Sequence, residues 1–489
     1  MRIAHLSAEV SPFARTGGLG DVVAALPVAQ RHLEQDVSVW MPLYRQAREE
    51  IARRGLVTEL GAEPFVIQVG FARYQVGLLR TYLPGSQVPL YLLGQEELFD
   101  RPHLYGANIH GRDDGILRYA VFVRAVMEAM RRLRLIPDIL HAHDWHAALA
   151  PMALAWDRPA DWHFQRTASV LTLHNLAYQG AYDPLEFVHL NLPVDRAPAV
   201  AWLGSLNLMK GGLLAAHAIT AVSPTYAWEI ATPEGGFGLD AIVRSRSSAL
   251  FGILNGVDTE LWNPAIDGKI PHRYSREDLR GKAENRRTLL TLAGMDADDP
   301  GLVVGVVGRL TEQKGYDLLF PVLDDLLRDG TRFVMLGSGE RWLEKAVHAY
   351  GHRARGRFFG HVGFDEPLSH LIEAGADCFL MPSRFEPCGL NQMYSLSYGT
   401  PPIVRRVGGL VDTVVGYDGS NRERANGFGF DDPEPSALRD TIRWAEQCFG
   451  DVALWDQLVQ NGMALDFSWR RSAEVYQALY ERLKADRQG

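Results

Sequence analysis

The sequence predicts an α/β protein of two domains, each built on a doubly wound parallel sheet, and three observations carry that prediction. Short apolar runs alternate with helical patterns along the whole chain. The composition shifts once, between residues 263 and 300, to charge and turn formers. One glycine word stands on either side of that shift, as Gly17-Gly18-Leu19-Gly20-Asp21 and as Gly408-Gly409-Leu410-Val411-Asp412.

In the first half, residues 3–6, 37–41, 88–93, 139–143, 169–173 and 218–222 read as strands that end in polar or Gly-rich turns. A hinge is expected over 255–264, followed by a helix over 276–293 closed by Gly294 just past its end. The strand–helix rhythm resumes at 302–307, 332–336, 357–359, 378–381 and 402–404. A last helix, with Ser468 as N-cap, places Val475, Tyr476, Leu479, Tyr480 and Leu483 on one apolar face. That face must be covered, and the expected cover is the first half. The domains are therefore drawn as 1–257, joined by a helix 468–489 that crosses back, and 258–467.

Each glycine word follows a strand-like run and leads into a helix: 2–6 before 21–26, and 402–404 before 413–415. Without a Cβ, paired glycines let backbone N–H groups approach a diphosphate, and a helix N-terminus adds about half a positive charge. Two such places suggest two sheets serving one ligand across a cleft.

The chain has 489 residues, 47% hydrophobic and 22% charged, which suits a globular protein too long for a single core. A net charge of −9 and a pI near 6.0 argue against nucleic acid or an anionic membrane as the main partner. Three cysteines, Cys378, Cys388 and Cys448, lack CxxC spacing and fit a reducing cytoplasm. The N-terminal residues read as a strand rather than a signal or transit peptide, and the apolar-rich stretch 211–224 is too short to span a bilayer.

Chemistry concentrates at the ends of expected strands. Arg15 precedes the first glycine word, and Gly308-Arg309-Leu310-Thr311-Glu312-Gln313-Lys314-Gly315 follows the strongest strand in the second half. Arg309 and Lys314 thus fall at a carboxyl strand end, where open α/β sheets bind ligands, and two cations there suit a diphosphate. His141-Ala142-His143-Asp144-Trp145-His146 closes another strand. The spacing permits zinc, buried structural histidines, or contacts to the hydroxyls of a sugar; with His174-Asn175 in an uncharged turn, a third metal ligand is not evident. In Pro382-Ser383-Arg384-Phe385-Glu386-Pro387-Cys388-Gly389-Leu390, Pro387 fixes the turn and aims Glu386 at a target, while Gly389 lets amides face a ligand.

With these words in place, the chain resembles the bacterial glycogen synthases and plant starch synthases, retaining glucosyltransferases of the two-Rossmann (GT-B) fold. The resemblance spans the chain, through Ser7-Ala8-Glu9-Val10-Ser11-Pro12-Phe13, residues 16–21, 141–146 and 174–180, Lys210-Gly211-Gly212-Leu213, residues 220–226, Asn255-Gly256-Val257-Asp258, residues 309–315, 382–390 and 408–410, and Asp466-Phe467-Ser468-Trp469. It implies transfer of glucose from ADP-glucose to the non-reducing 4-OH of an α-1,4-glucan, with no metal or other cofactor. It also implies roles. Arg309 and Lys314 would neutralise the departing diphosphate, and Glu386 would bond hydroxyls of the transferred glucose. His174 would face that sugar with Asn255 beside it. Arg15, Gly17, Gly18, Cys388, Gly389, Leu390, Gly408 and Gly409 would serve the donor, Phe364 would stack on its base, and Asp21, Asp144 and Asn175 would line the acceptor side.

Because an α-linked donor gives an α-linked product and no carboxylate is committed as nucleophile, the resemblance implies front-face attack, with the leaving phosphate taking the acceptor's proton. Two positions depart from the family pattern: Arg15 stands where Lys is usual, and Val407 where bacterial relatives often have Thr. Three rivals are weighed. UDP-glucose could replace ADP-glucose. A non-catalytic glucan-binding relative would have lost charged site residues, yet Arg309, Lys314, Glu386, Asp144 and His174 are all present. A zinc hydrolase built on the histidine cluster would be abolished by a chelator.

Overall fold

The computed structural model describes residues 1–106, 111, 113–157 and 162–488. The chain divides into two compact units, one formed by Met1–Gly256 with Trp469–Gly489, the other by Val257–Ser468.

The first unit is built on a nine-stranded sheet. Its order is Leu250–Gly252, Ala218–Ala221, Ala168–Leu173, Ile139–His143, Arg2–Leu6, Asp36–Pro42, Pro89–Gly94, Ala72–Tyr82, Glu59–Val69. The first seven run parallel, and the last two join antiparallel at one edge. The parallel strands are apolar runs buried on both faces, as parallel sheets require. Strand order reverses beside Arg2–Leu6, so the loop after that strand opens at the switch point where such sheets bind ligands. The 11-residue strands Glu59–Val69 and Ala72–Tyr82 are not expected from the sequence: Glu59, Leu60, Glu63 and Pro64 are exposed, and alternation is clean only from Phe65 to Val69.

The C-terminal helix Trp469–Gln488 packs in this unit against the helix Gly18–His32 and the sheet beneath it. Tyr476, Leu479, Tyr480 and Leu483 join one core with Ile3, Val22, Leu26, Val37 and Val170. Each such side chain contributes about 1.5–3 kcal/mol on burial. Val475 departs from expectation and is 50% exposed. It lies outside the edge of the stripe formed by 476, 479, 480 and 483, about 90° from the centre of that stripe.

The second unit is a six-stranded, wholly parallel sheet in the order Phe358–Val362, Arg332–Gly337, Val303–Val307, Cys378–Met381, Pro402–Arg405, Phe428–Phe430. Its order reverses beside Val303–Val307, which places the loop 308–315 at the second switch point. The helix expected over 276–293 begins later, at Arg280, because Ser275 and Asp278 close a tight turn through paired backbone hydrogen bonds.

Candidate functional site

In the first unit, the loop leaving strand Arg2–Leu6 is organised by a residue the sequence reading left without a role. Glu9 is only 3% exposed. Its carboxylate accepts hydrogen bonds from Thr16 N–H (2.6 Å), Thr16 Oγ1 (2.6 Å), Gly17 N–H (3.3 Å) and the Tyr105 hydroxyl (2.5 Å). It therefore holds the lip of the first glycine word from behind. A lone Glu between Ala8 and Val10 at a strand end is the signal that could have found it.

The first two glycines of that word face open space, while Gly20 is packed, with a Cβ there 3.2 Å from the Ala14 carbonyl. A Cβ at Gly17 or Gly18 would meet nothing within 4 Å, and Gly17 has an ordinary extended φ of −162°. Neither backbone strain nor packing within the unit demands glycine there. The 15-residue helix Gly18–His32 begins without a side-chain cap, so its first amides lack a side-chain acceptor. Arg15 and Asp21 flank this opening as an ion pair at 2.9 Å. Burial raises the Asp21 carboxyl to about 6, opposed by Arg15 and reinforced by Glu9.

Strand Ile139–His143 delivers Asp144 at φ +55°, a left-handed conformation that turns its carboxylate toward the neighbouring strand end. There it accepts the His174 N–H at 2.8 Å. Burial raises Asp144 to about 7, against the pull of the His174 and Asn175 amides. Asn175 is half-buried and turns its Oδ1 to the Ala177 N–H at 3.0 Å. Asn255 is 7% exposed, and its Oδ1 is buried without a partner among the described residues. An unmet buried acceptor costs about 1–3 kcal/mol, so this oxygen is suited to a ligand donor.

The histidines that raised the question of zinc lie in the core. His5, His141 and His143 come close enough to suggest a metal cluster. All six of their ring nitrogens already have hydrogen-bond partners: His143 with His5 and His174, His5 with Gln30, His141 with Tyr480 and Thr172. A cation could be bound only by breaking these bonds. His141 and His143 are also fully buried, which removes them from the hydroxyl-contact reading. Period-2 spacing put them on one face, and that face is the core.

In the second unit, Arg309 and Lys314 leave strand Val303–Val307 in different directions. Arg309 is exposed, its guanidinium 3.5 Å from Gln313 Oε1, the outer limit of a hydrogen bond. Lys314 Nζ lies 2.6 Å from Glu386 Oε2, and Ser383 Oγ donates to the same oxygen at 2.9 Å. The Lys314 and Glu386 side chains are 19% and 8% exposed.

Gly315 makes this pairing possible. At φ +70°, its Cα packs on the Pro382 carbonyl, and a Cβ would come within 2.0 Å of that oxygen.

The second glycine word has a different job from the first. Gly408 is left-handed at φ +46°, with a virtual Cβ 1.9 Å from the Glu386 carbonyl, and a Cβ at Gly409 would lie 2.2 Å from the Cys388 carbonyl. The Gly409 N–H donates to Glu386 O at 3.2 Å. These glycines seat the turn that carries Glu386, and the Gly409 amide is committed to that turn instead of an anion. Cys388 is buried and Gly389 is left-handed at φ +72° just before Leu390, with Gln392 Nε2 bracing the Cys388 and Gly389 carbonyls at 3.0 and 3.2 Å. Phe364 is 87% exposed, after the strand Phe358–Val362 and at the same sheet end as Arg309. A separate hollow of about 710 Å³, lined by Asp267, Arg273, Asp278, Arg280 and Glu284 among others, contains none of these residues.

The structure thus gathers Glu9, Arg15, Gly17, Gly18 and Asp21 at one strand end, and Asp144, His174 and Asn175 at another within the first unit. Lys314, Glu386, Cys388, Gly389, Gly408 and Gly409 gather in the second. Residues 2–245 match the family described as starch synthase catalytic domain, and residues 295–457 the family described as glycosyl transferases group 1. A glycogen synthase from Thioalkalivibrio sulfidiphilus is 44% identical over 99% of this chain and 100% of the relative. Glycogen synthase 2 from Geobacter metallireducens is 40% identical over 100% of both. Among solved structures, the catalytic domain of starch synthase IV from Arabidopsis thaliana, described as bound to ADP and acarbose, aligns with a TM-score of 0.88 at 31% identity over 99% of each chain. A sucrose-phosphate synthase from Thermosynechococcus elongatus, 17% identical with a TM-score of 0.61 over 99% of each chain, shares the fold.

Proposed function

Because the chain belongs to the glycogen synthase and starch synthase family of retaining glucosyltransferases, we propose that it transfers glucose from ADP-glucose to the non-reducing 4-OH of an α-1,4-glucan, in glycogen synthesis. The observation that carries the residue assignment is the pairing of Lys314 with Glu386 beside the exposed Arg309, at the switch point of a parallel sheet.

In this reading the two cations receive the diphosphate as negative charge develops on the leaving oxygen. Lys314 is held by Glu386, itself fixed by the Ser383 hydroxyl, before substrate arrives, so little reorganisation is needed during reaction. Glu386 offers its second oxygen, Oε1, to the hydroxyls of the transferred glucose. Gly389 and Leu390 turn their backbone toward the same sugar. The uncapped start of helix Gly18–His32, with Gly17 and Gly18 leaving room for close approach, takes a phosphate, and Arg15 adds charge there. Phe364 stacks on the base. His174 and Asn255 face the transferred sugar, while Asp21, Asp144 and Asn175 orient the acceptor.

The acceptor hydroxyl attacks from the side the diphosphate leaves. Its proton passes to the departing phosphate oxygen, so the anomeric configuration is kept without a protein nucleophile. The reaction uses no metal. Support for that comes from His5, His141 and His143, whose ring nitrogens are taken up by one another, His174, Gln30, Tyr480 and Thr172. The cytoplasm is the proposed location, in keeping with three buried cysteines that form no disulfide; no helix among the described residues is long and apolar enough to cross a membrane.

The donor is tested by initial rates of glucose incorporation into glycogen from ADP-glucose and from UDP-glucose. A marked preference for ADP-glucose is expected. A preference for UDP-glucose would replace the donor and leave the reaction class, and no incorporation from either would favour a glucan-binding protein without activity.

A further inference from the structure

We propose that Gln30 and Tyr480 are positioning residues for His174, fixing through His5 and His143 which of its ring nitrogens carries hydrogen. The geometry is a continuous buried chain within the first unit. His174 Nε2 lies 3.0 Å from His143 Nδ1, His143 Nε2 lies 2.9 Å from His5 Nδ1, and His5 Nε2 lies 2.8 Å from Gln30 Oε1. Beyond it, Gln30 Nε2 lies 3.3 Å from the Tyr480 hydroxyl, which lies 2.6 Å from His141 Nδ1. His141 Nε2 reaches Thr172 Oγ1, itself 2.6 Å from Thr220 Oγ1. His5, His141, His143, Thr172, Thr220 and Tyr480 are 0% exposed and Gln30 is 1% exposed.

Burial holds all four imidazoles neutral, with His174 lowered to about 3, His5 to about 4, and His141 and His143 well below the usual range. A neutral imidazole has one N–H and one bare nitrogen, so each link dictates the next. Gln30 Oε1 can only accept, which puts hydrogen on His5 Nε2 and leaves Nδ1 bare. His143 Nε2 then donates to His5, and His174 Nε2 donates to His143. His174 Nδ1 is left as a lone pair, the one ring nitrogen of the four without a partner among the described residues.

On the other side the Gln30 amide donates to Tyr480, whose hydroxyl donates to His141. His141 then donates from Nε2 to Thr172. The order is self-consistent throughout, and it turns on one amide: with Gln30 reversed, every hydrogen in the chain reverses and His174 Nδ1 becomes an N–H. The Tyr480 hydroxyl, able to accept or donate, meets the amide nitrogen and couples the Gln30 orientation to His141. Its place on the C-terminal helix ties residues 469–488 to the group presented at position 174.

A row of imidazoles is an expensive core. Apolar side chains of similar volume would fill the same space without needing satisfied polar atoms. What the row supplies is a fixed acceptor at its open end, where an acceptor can take a sugar hydroxyl and an N–H cannot. This inference rests on the proposed placement of His174 at the transferred glucose.

The test uses the full chain labelled with 15N-histidine, and the variants Gln30→Met and Tyr480→Phe, which keep shape and remove polar atoms. In the unsubstituted protein the ring-nitrogen spectrum should show His174, His143, His5 and His141 each as a single neutral tautomer protonated at Nε2. Either substitution should give mixed tautomers at His174 and lower kcat about tenfold, with KM for the nucleotide sugar within about twofold, as for other residues that orient a functional imidazole. Mixed tautomers at His174 before substitution would overturn the proposal. So would variants that lose thermal stability while keeping both the single tautomer and kcat per folded molecule. His174→Phe is the separate control. If it retains turnover, the placement of His174 at the reacting sugar is wrong, whereas the tautomer spectra still decide whether the chain orders the ring.

Discussion

Replacing Lys314 by Ala separates two jobs that its ammonium performs at once. It neutralises a carboxylate that is 8% exposed, 2.6 Å away, and in the proposed reaction it receives the charge of the leaving diphosphate. Removing one partner of a fully buried pair costs about 3–5 kcal/mol. Lys314 retains 19% exposure and Ser383 still donates to Glu386, so about 2 kcal/mol is the better figure here. In a unit of this size that lowers the thermal midpoint by about 4–8 °C. The catalytic loss is larger: a preorganised electrostatic donor contributes about 2.7–4 kcal/mol to the transition state, or about 10²–10³ in kcat.

The double variant Lys314→Ala, Glu386→Gln distinguishes the two. With the carboxylate neutral, most of the lost stability should return, and turnover should remain at or below the level of the single variant, since Glu386 also serves the transferred glucose. The assays are thermal unfolding and initial-rate glucose incorporation on the four proteins of the cycle. If turnover returned together with stability, Lys314 would be a counter-ion for Glu386 and nothing more, and its assignment to the diphosphate would be refuted.

The two glycine words should respond differently to alanine. Gly18→Ala meets no neighbour and should keep or slightly raise stability, while raising KM for the nucleotide sugar about tenfold or more through loss of close amide contact; an unchanged KM would remove the loop from the donor site. Gly408→Ala, left-handed and 1.9 Å from the Glu386 carbonyl, should lose about 2 kcal/mol or more in a denaturant titration, and wild-type stability would contradict the close packing. Asp144 holds its proton to about 7 when folded against an ordinary 3.8, so folding binds a proton in that window and its contribution to stability declines as pH rises through it. Asp144→Asn, which can accept the same amides, should therefore gain thermal stability relative to the parent between pH 5 and pH 8, and parallel pH curves would count against the buried carboxyl. Incubation with a strong chelator should leave turnover unchanged; loss restored by added zinc would revive the metal reading.

The parallel strands were legible because each is a nearly unbroken apolar run buried on both faces, as at 303–307 and 378–381. The antiparallel pair Glu59–Val69 and Ala72–Tyr82 was not, since half of it faces solvent and Pro64 interrupts its alternation. Strands Leu250–Gly252 and Phe428–Phe430 are three residues each, too short for any period to show. At the site, chemistry was easier to read than environment. Lys314 and Glu386 stand out by residue type and position, but their union depends on Gly315 letting two loops touch. The two glycine words look alike in sequence, and only the fold reveals that the leading pair of the first faces open space while that of the second is packed against carbonyls. His141 and His143 have the spacing of ligands; what takes up their nitrogens comes from residues 5, 172, 174 and 480, far away in the chain.

The central claim is retaining glucosyl transfer driven by stabilisation of a departing diphosphate. The most direct measurement is proton NMR of the bond first formed when the enzyme extends a short maltooligosaccharide from ADP-glucose. An α-1,4 linkage from the earliest time point, with one ADP released per glucose added, is the expected result. A β linkage, or ADP release without chain extension, would contradict it.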